Sequence, residues 1–267
     1  MAAPDKNGAT DLLRRAFEAQ QREYRRKKRK PRVLALEYFV AGLPPLLFFE
    51  HNLDELDGIL GKQHAGHAPL DALSALGLIG LAAYFEAFCK DLFAALVNIC
   101  PELLEQSARF RDCAFTLAEV LHLIEGSKHR IGSILSEHYD WGSAHSVNSL
   151  FCDLLKVSPF SKDEAKKYGE FLSDRNLLVH HGGVYTFKYA GQKLAKKDLK
   201  RTVHWQSLTV RKADVSTWVK FLHDIAKKAS LATQKALAEF VKTNDVELGK
   251  ERARALKLLS AGSGGWD

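Results

Sequence analysis

The chain of 267 residues is predicted to be mainly all-α, and three observations carry that prediction. Apolar residues recur at helical spacing, as in Trp218, Phe221, Leu222 and Ile225, so helices with one buried face are expected. Thr116-Leu117-Ala118-Glu119 and Ser161-Lys162-Asp163-Glu164 match the capping box, in which the first hydroxyl and the fourth carboxylate satisfy each other's backbone N–H groups. The longest apolar stretch, residues 69–100, begins at Pro69 and is followed by Pro101, residues suited to a helix start and stop. Residues 184–189 and 205–210 break the pattern by alternating, which predicts a small β-hairpin insertion at about 184–210.

In chain order, residues 1–32 read as a basic N-terminal helix with Leu13, Phe17 and Tyr24 at near-helical spacing, ended by Pro31. A single domain is expected over 33–260, with helices at 33–41, 46–60 and 69–100. Shorter ones follow within 101–136 and 145–156, then one opened by Ser161. After the hairpin come a long helix at about 214–242 and a short one before Ala261. Residues 261–267 read as a disordered Gly/Ser tail.

With 46% hydrophobic side chains the chain can bury a sizeable core. Lys and Arg outnumber Asp and Glu by 39 to 32, so the net charge is +7 and an anionic partner is compatible. Cys89, Cys100, Cys113 and Cys152 lack metal-site spacing and read as reduced thiols. His122, His129, His138 and His145 are too far apart in sequence to suggest a metal pair. No cofactor is expected. Residues 70–100 are apolar, but Glu86, Lys90 and Asp91 interrupt them, so a buried helix is favoured over a membrane span. The start of the chain has no apolar leader pattern, and a cytoplasmic location is expected. Phosphate-loop and dinucleotide glycine patterns are absent, which gives nucleotide hydrolysis no support.

The chemistry concentrates in Asp174-Arg175-Asn176-Leu177-Leu178-Val179-His180-His181-Gly182-Gly183. On a helix, Asn176 and His180 lie one above the other at i and i+4, with Arg175 beside them. Phe171 and Leu178 supply an apolar face away from Asn176, and the glycine pair ends the helix. An imidazole can take and give protons near neutrality, and a guanidinium can hold phosphoryl oxygens. The alternative is that Arg175 and the histidines only bond carbonyls or Asp174.

The pattern Arg-Asn-x-x-x-His followed by His-Gly resembles the signature helix of the HEPN superfamily, at Arg175, Asn176 and His180. The looser family spacing is also met by His181, so the choice of histidine stays open. Residues 81–92, Leu-Ala-Ala-Tyr-Phe-Glu-Ala-Phe-Cys-Lys-Asp-Leu, are similar to the long second helix of the prokaryotic branch called RiboL-PSP-HEPN. The resemblance spans roughly residues 70–240. It implies a helical bundle acting as a metal-independent endoribonuclease, in which the ribose 2′-hydroxyl attacks the adjacent phosphate. It also implies a homodimer with a composite site, and products ending in 2′,3′-cyclic phosphate and 5′-hydroxyl. His180 or His181 would handle the proton, Arg175 the phosphoryl charge, and Asn176 the orientation of phosphate or imidazole.

Glu86 has two readings: it holds Arg175 or a histidine in the cleft, or it pairs with Lys90 one turn on. Arg26, Lys27, Lys28 and Arg29 in the basic run have two readings, contacts to RNA phosphates or simply a solvated face, and Lys188 and Arg201 in the hairpin are further candidates for RNA contact. The hairpin aromatics Phe187 and Trp205 would stack on bases or only pack the insertion onto the helices. The resemblance implies a toxin or antiphage effector restrained by an antitoxin or regulatory protein. The alternative is a catalytically inactive HEPN-like module that dimerises and binds RNA or protein.

Overall fold

A computed structural model of the chain describes residues 33–61, 72–111, 113–123, 128–193 and 207–263. The helices are α1 (Pro45–Gly61), α2 (Ala72–Ile99), α3 (Leu117–His122), α4 (Ile131–Glu137), α5 (Ala144–Leu155), α6 (Lys162–His181), α7 (Phe187–Lys193), α8 (Lys212–Thr243) and α9 (Lys250–Leu258). Short helical segments at Ala35–Tyr38, Pro101–Gln106, Ala108–Arg111 and Lys128–Arg130 link or precede them. The all-α expectation holds: no strand longer than one bridge occurs among the described residues.

Helix α2 is the axis of the fold, packed by α1, α4, α6 and α8. Its length and apolarity would suffice to cross a membrane. Here Leu81, Phe85, Leu92, Phe93 and Leu96 are buried against the surrounding helices. The approach to α4 is closest at Gly132, where a Cβ would stand 2.3 Å from the Ala94 carbonyl oxygen. Asn98 secures this crossing: its Oδ1 accepts the Gly132 N–H at 2.8 Å and its Nδ2 donates to the Tyr38 carbonyl at 3.0 Å. A buried amide with both ends hydrogen-bonded specifies the packing at this crossing.

Both capping boxes form as expected, at Thr116 for α3 and at Ser161 for α6. Residues 33–41 depart from expectation, because a single 3₁₀ turn replaces a helix and the chain then bends through Gly42, at φ +70°, to Pro45. The expected strand over 184–189 is also corrected. Only Val184 makes a bridge, antiparallel to Ser207, and Phe187–Lys193 is helical. Thr186 overrides the alternation: its hydroxyl accepts the Tyr189 N–H at 3.2 Å and its carbonyl the Ala190 N–H at 2.9 Å. That arrangement is an N-cap, which outweighs a short β-like run.

Residues 261–263 are not a loose tail. The Ser263 N–H donates to Glu50, which is buried on α1 and also bonded at 2.9 Å to the buried His223 of α8. Burial alone would raise the Glu50 carboxyl, but the His223 and Ser263 bonds outweigh it and hold the group below its ordinary value. Residues 261–263 are thereby fastened to the bundle, while 264–267 lie outside the described residues. Cys89 and Cys100 are buried and Cys113 and Cys152 half-buried, all as free thiols.

Candidate functional site

The motif rides on the second half of α6, and aromatic packing sets the rotation of that helix. Tyr168 stacks on Phe160 at 4.9 Å and meets Phe85 of α2 at 5.4 Å, while Phe171 meets Trp218 of α8 at 5.2 Å. Leu178 continues this face into the core, as the sequence predicts. Successive residues turn by about 100°, so Arg175, seven after Tyr168, emerges on the core side and is half-buried. Asn176 and His180 share the outer face and are exposed, and His181 is exposed as well. The helix ends where Gly182 and Gly183 take φ of +57° and +83°, and the Gly183 N–H returns to the Leu177 carbonyl at 3.1 Å. Two consecutive left-handed residues explain the glycine pair.

Asp174 does not neutralise its neighbour by a direct ion pair. Its Oδ1 accepts the hydroxyl of Tyr189 at 2.9 Å, tying α6 to α7. Burial, then the nearby Asp174 charge, push the Tyr189 hydroxyl above its ordinary value, so it stays protonated and donating. The side chains of Arg175, Asn176, His180 and His181 make no hydrogen bond or ion pair among the described residues. Arg175 does bear electrostatically on the buried Tyr168 hydroxyl, as do Cys89, Glu86 and Asp140.

A cleft of about 320 Å³ lies between α6 and α7. Asn176 and His181 line it from α6, and Lys188, Tyr189 and Gln192 from α7, with Ser173 and Thr186 at its edges. Arg175 and His180 are not in its wall. One chain therefore separates the predicted residues into two groups: Asn176, His181 and Lys188 share the cleft, while Arg175 lies about 140° around α6 from His180. Of Arg175, Asn176 and His180, Asn176 alone lines this cleft.

Glu86 forms an i to i+4 ion pair with Lys90 at 2.9 Å on a half-exposed edge of α2. It bonds neither Arg175 nor a histidine among the described residues. Arg26, Lys27, Lys28, Arg29 and Arg201 lie outside the described residues, as does Trp205. Sequence reading missed Ser173, Thr186, Tyr189 and Gln192 as cleft residues; for Thr186 and Tyr189 the reason is that a strand at 184–189 would have turned their side chains elsewhere. No group of His, Cys, Asp or Glu able to hold a metal ion occurs among the described residues.

Comparison with known proteins adds no relative: no family model, curated protein or solved structure matches this chain.

Proposed function

We propose that the protein is a HEPN-type, metal-independent endoribonuclease. The observation that carries this reading is that, among the described residues, the side chains of Arg175, Asn176, His180 and His181 have no hydrogen-bond or ion-pair partner, on a helix that is otherwise capped and packed. A half-buried guanidinium without an ion pair is a ready site for a phosphate, since charge-assisted bonds to phosphoryl oxygens are among the stronger ones. In this account Arg175 binds the scissile phosphate and stabilises the charge that gathers on it. A histidine takes the 2′-hydroxyl proton, the 2′-oxygen attacks phosphorus, and the 5′-oxygen leaves with a proton returned to it.

A second copy is part of the proposal. Because Arg175 and His180 face different sides of α6, the histidine serving one Arg175 would come from the partner, and the twofold axis would run beside the helix. Asn176 and His181 would hold the RNA strand along the cleft with Lys188 on its phosphate. A positioned acid or base is worth about 10² to 10⁴ in rate, so loss of either group should be plain in an assay.

The test is cleavage of RNA in EDTA by wild type, Arg175→Ala, His180→Ala and His181→Ala, with the oligomeric state of each measured by light scattering. Loss of activity in Arg175→Ala and in one histidine variant, with fold and dimer retained, is expected. Full activity in Arg175→Ala would remove the proposal.

A further inference from the structure

A second group of reactive side chains lies outside the motif helix, where Cys113 precedes α3. Its sulfur stands 3.9 Å from Nδ1 of His138, at the end of α4. The opposite ring nitrogen, Nε2, is 2.8 Å from Oε1 of Glu119 on α3. An ionised carboxylate only accepts, so Nε2 carries the hydrogen and Nδ1 turns its lone pair toward the thiol.

The relay is built into the start of α3. Oε2 of Glu119 accepts the backbone N–H and the hydroxyl of Thr116 at 2.6 and 2.8 Å, which leaves Oε1 for His138. The Thr116 bonds first, and the His138 bond after them, hold the Glu119 carboxyl at about 2, so it is an anion at any physiological pH. Phe115 packs edge-on against the imidazole, with ring centroids 5.8 Å apart. The Tyr139 hydroxyl also reaches Cys113, and the Arg109 guanidinium sits 5.1 Å above the Tyr139 ring while paired with Asp153 at 2.9 Å. Cysteine and carboxylate occupy opposite ring nitrogens, so a single metal ion would not gather the three groups.

We propose that Cys113 is a reactive thiol, activated by His138 and Glu119, whose co-reactant is a low-molecular-weight disulfide. His138 Nδ1 takes the thiol proton and the Cys113 thiolate attacks one sulfur of the disulfide. The Cys113–sulfur bond forms as the sulfur–sulfur bond of the co-reactant breaks. The departing thiolate receives the proton from His138, so one thiol and one disulfide yield one thiol and one mixed disulfide. The other cysteines lack this surrounding. Burial pushes the Cys89 and Cys100 thiols up, that of Cys100 to about 12, and Cys152 has no histidine partner among the described residues.

The experiment incubates the full chain with oxidised glutathione at about pH 6 to 9 and follows adduct formation at each cysteine by peptide mass spectrometry. Cys113 should react at least about tenfold faster than Cys152 near neutrality. In His138→Ala that rate should drop by about tenfold or more. Glu119→Gln retains the capping box and should give a smaller loss, so it decides the matter if His138→Ala melts early. Equal rates at Cys113 and Cys152, or an unchanged Cys113 rate in both variants, would overturn the proposal.

Discussion

The hydroxyl of Tyr189 donates to the carboxylate of Asp174 across 2.9 Å, and this bond joins the two helices that wall the cleft. It engages the carboxylate nearest in sequence to Arg175, which keeps that guanidinium available to an outside anion. Tyr189→Phe removes the donor and with it this tie between α6 and α7. A loss of about 1 kcal/mol in a thermal or urea melt is expected from the missing bond. RNA cleavage should fall alongside, although residue 189 touches no reacting atom in the account given above.

Glu86→Gln should behave differently. The ion pair with Lys90 is half-exposed, and pairs of this kind contribute about 0.5 kcal/mol or less. RNA cleavage by this variant should match wild type within error. A cleavage rate lowered tenfold or more would instead assign Glu86 to the site.

Asp91 makes stability depend on pH in the sense opposite to the lowered carboxyl of Glu50. Burial on α2 raises its carboxyl to about 6, only partly offset by the charge of Lys90. A group raised on folding binds its proton more tightly in the native state, so its contribution is complete below about pH 4 and is lost as pH climbs through about 6. Asp91→Asn should flatten that segment of a stability-versus-pH curve and stabilise the protein at pH 7. Denaturant melts across the window measure both effects.

Gly132→Ala tests the packing that positions α2. The added methyl would lie 2.3 Å from the Ala94 carbonyl oxygen and 2.9 Å from Val97 Cβ, both on the rigid axis of the fold. Overpacking of a core typically costs about 1 to 3 kcal/mol, and a backbone contact this close favours the upper end. A calorimetric scan should show a fall of several degrees or more in the melting temperature.

Much of the fold was legible in the sequence because its signals are local. The Thr116 and Ser161 capping boxes, the Gly182-Gly183 stop and the apolar stripe on α8 each act over a few residues, and each forms as expected. Residues 187–193 were misjudged because alternation in Val-Tyr-Thr-Phe-Lys-Tyr resembles a strand, whereas the hydroxyl of Thr186 caps a helix. That error also concealed the inner wall of the cleft. Residues 261–263 look like tail by composition, but the distant Glu50 accepts the Ser263 N–H and draws them in. The motif itself was readable at Arg175, Asn176, His180 and His181, but its rotation was not. The contacts of Tyr168 with Phe85 and of Phe171 with Trp218, which set the rotation of α6 in the bundle, join three separate parts of the chain. The relation of Cys113 to His138 and Glu119 likewise depends on tertiary placement, since 25 and 19 residues separate those pairs.

The most direct measurement is the chemistry of the RNA ends made by the purified protein in EDTA. Attack by the 2′-oxygen leaves 2′,3′-cyclic phosphates and 5′-hydroxyls, and these should appear with wild type and vanish with Arg175→Ala. RNA left intact by wild type at every concentration tested, or cleaved to 5′-phosphates, would contradict the assignment.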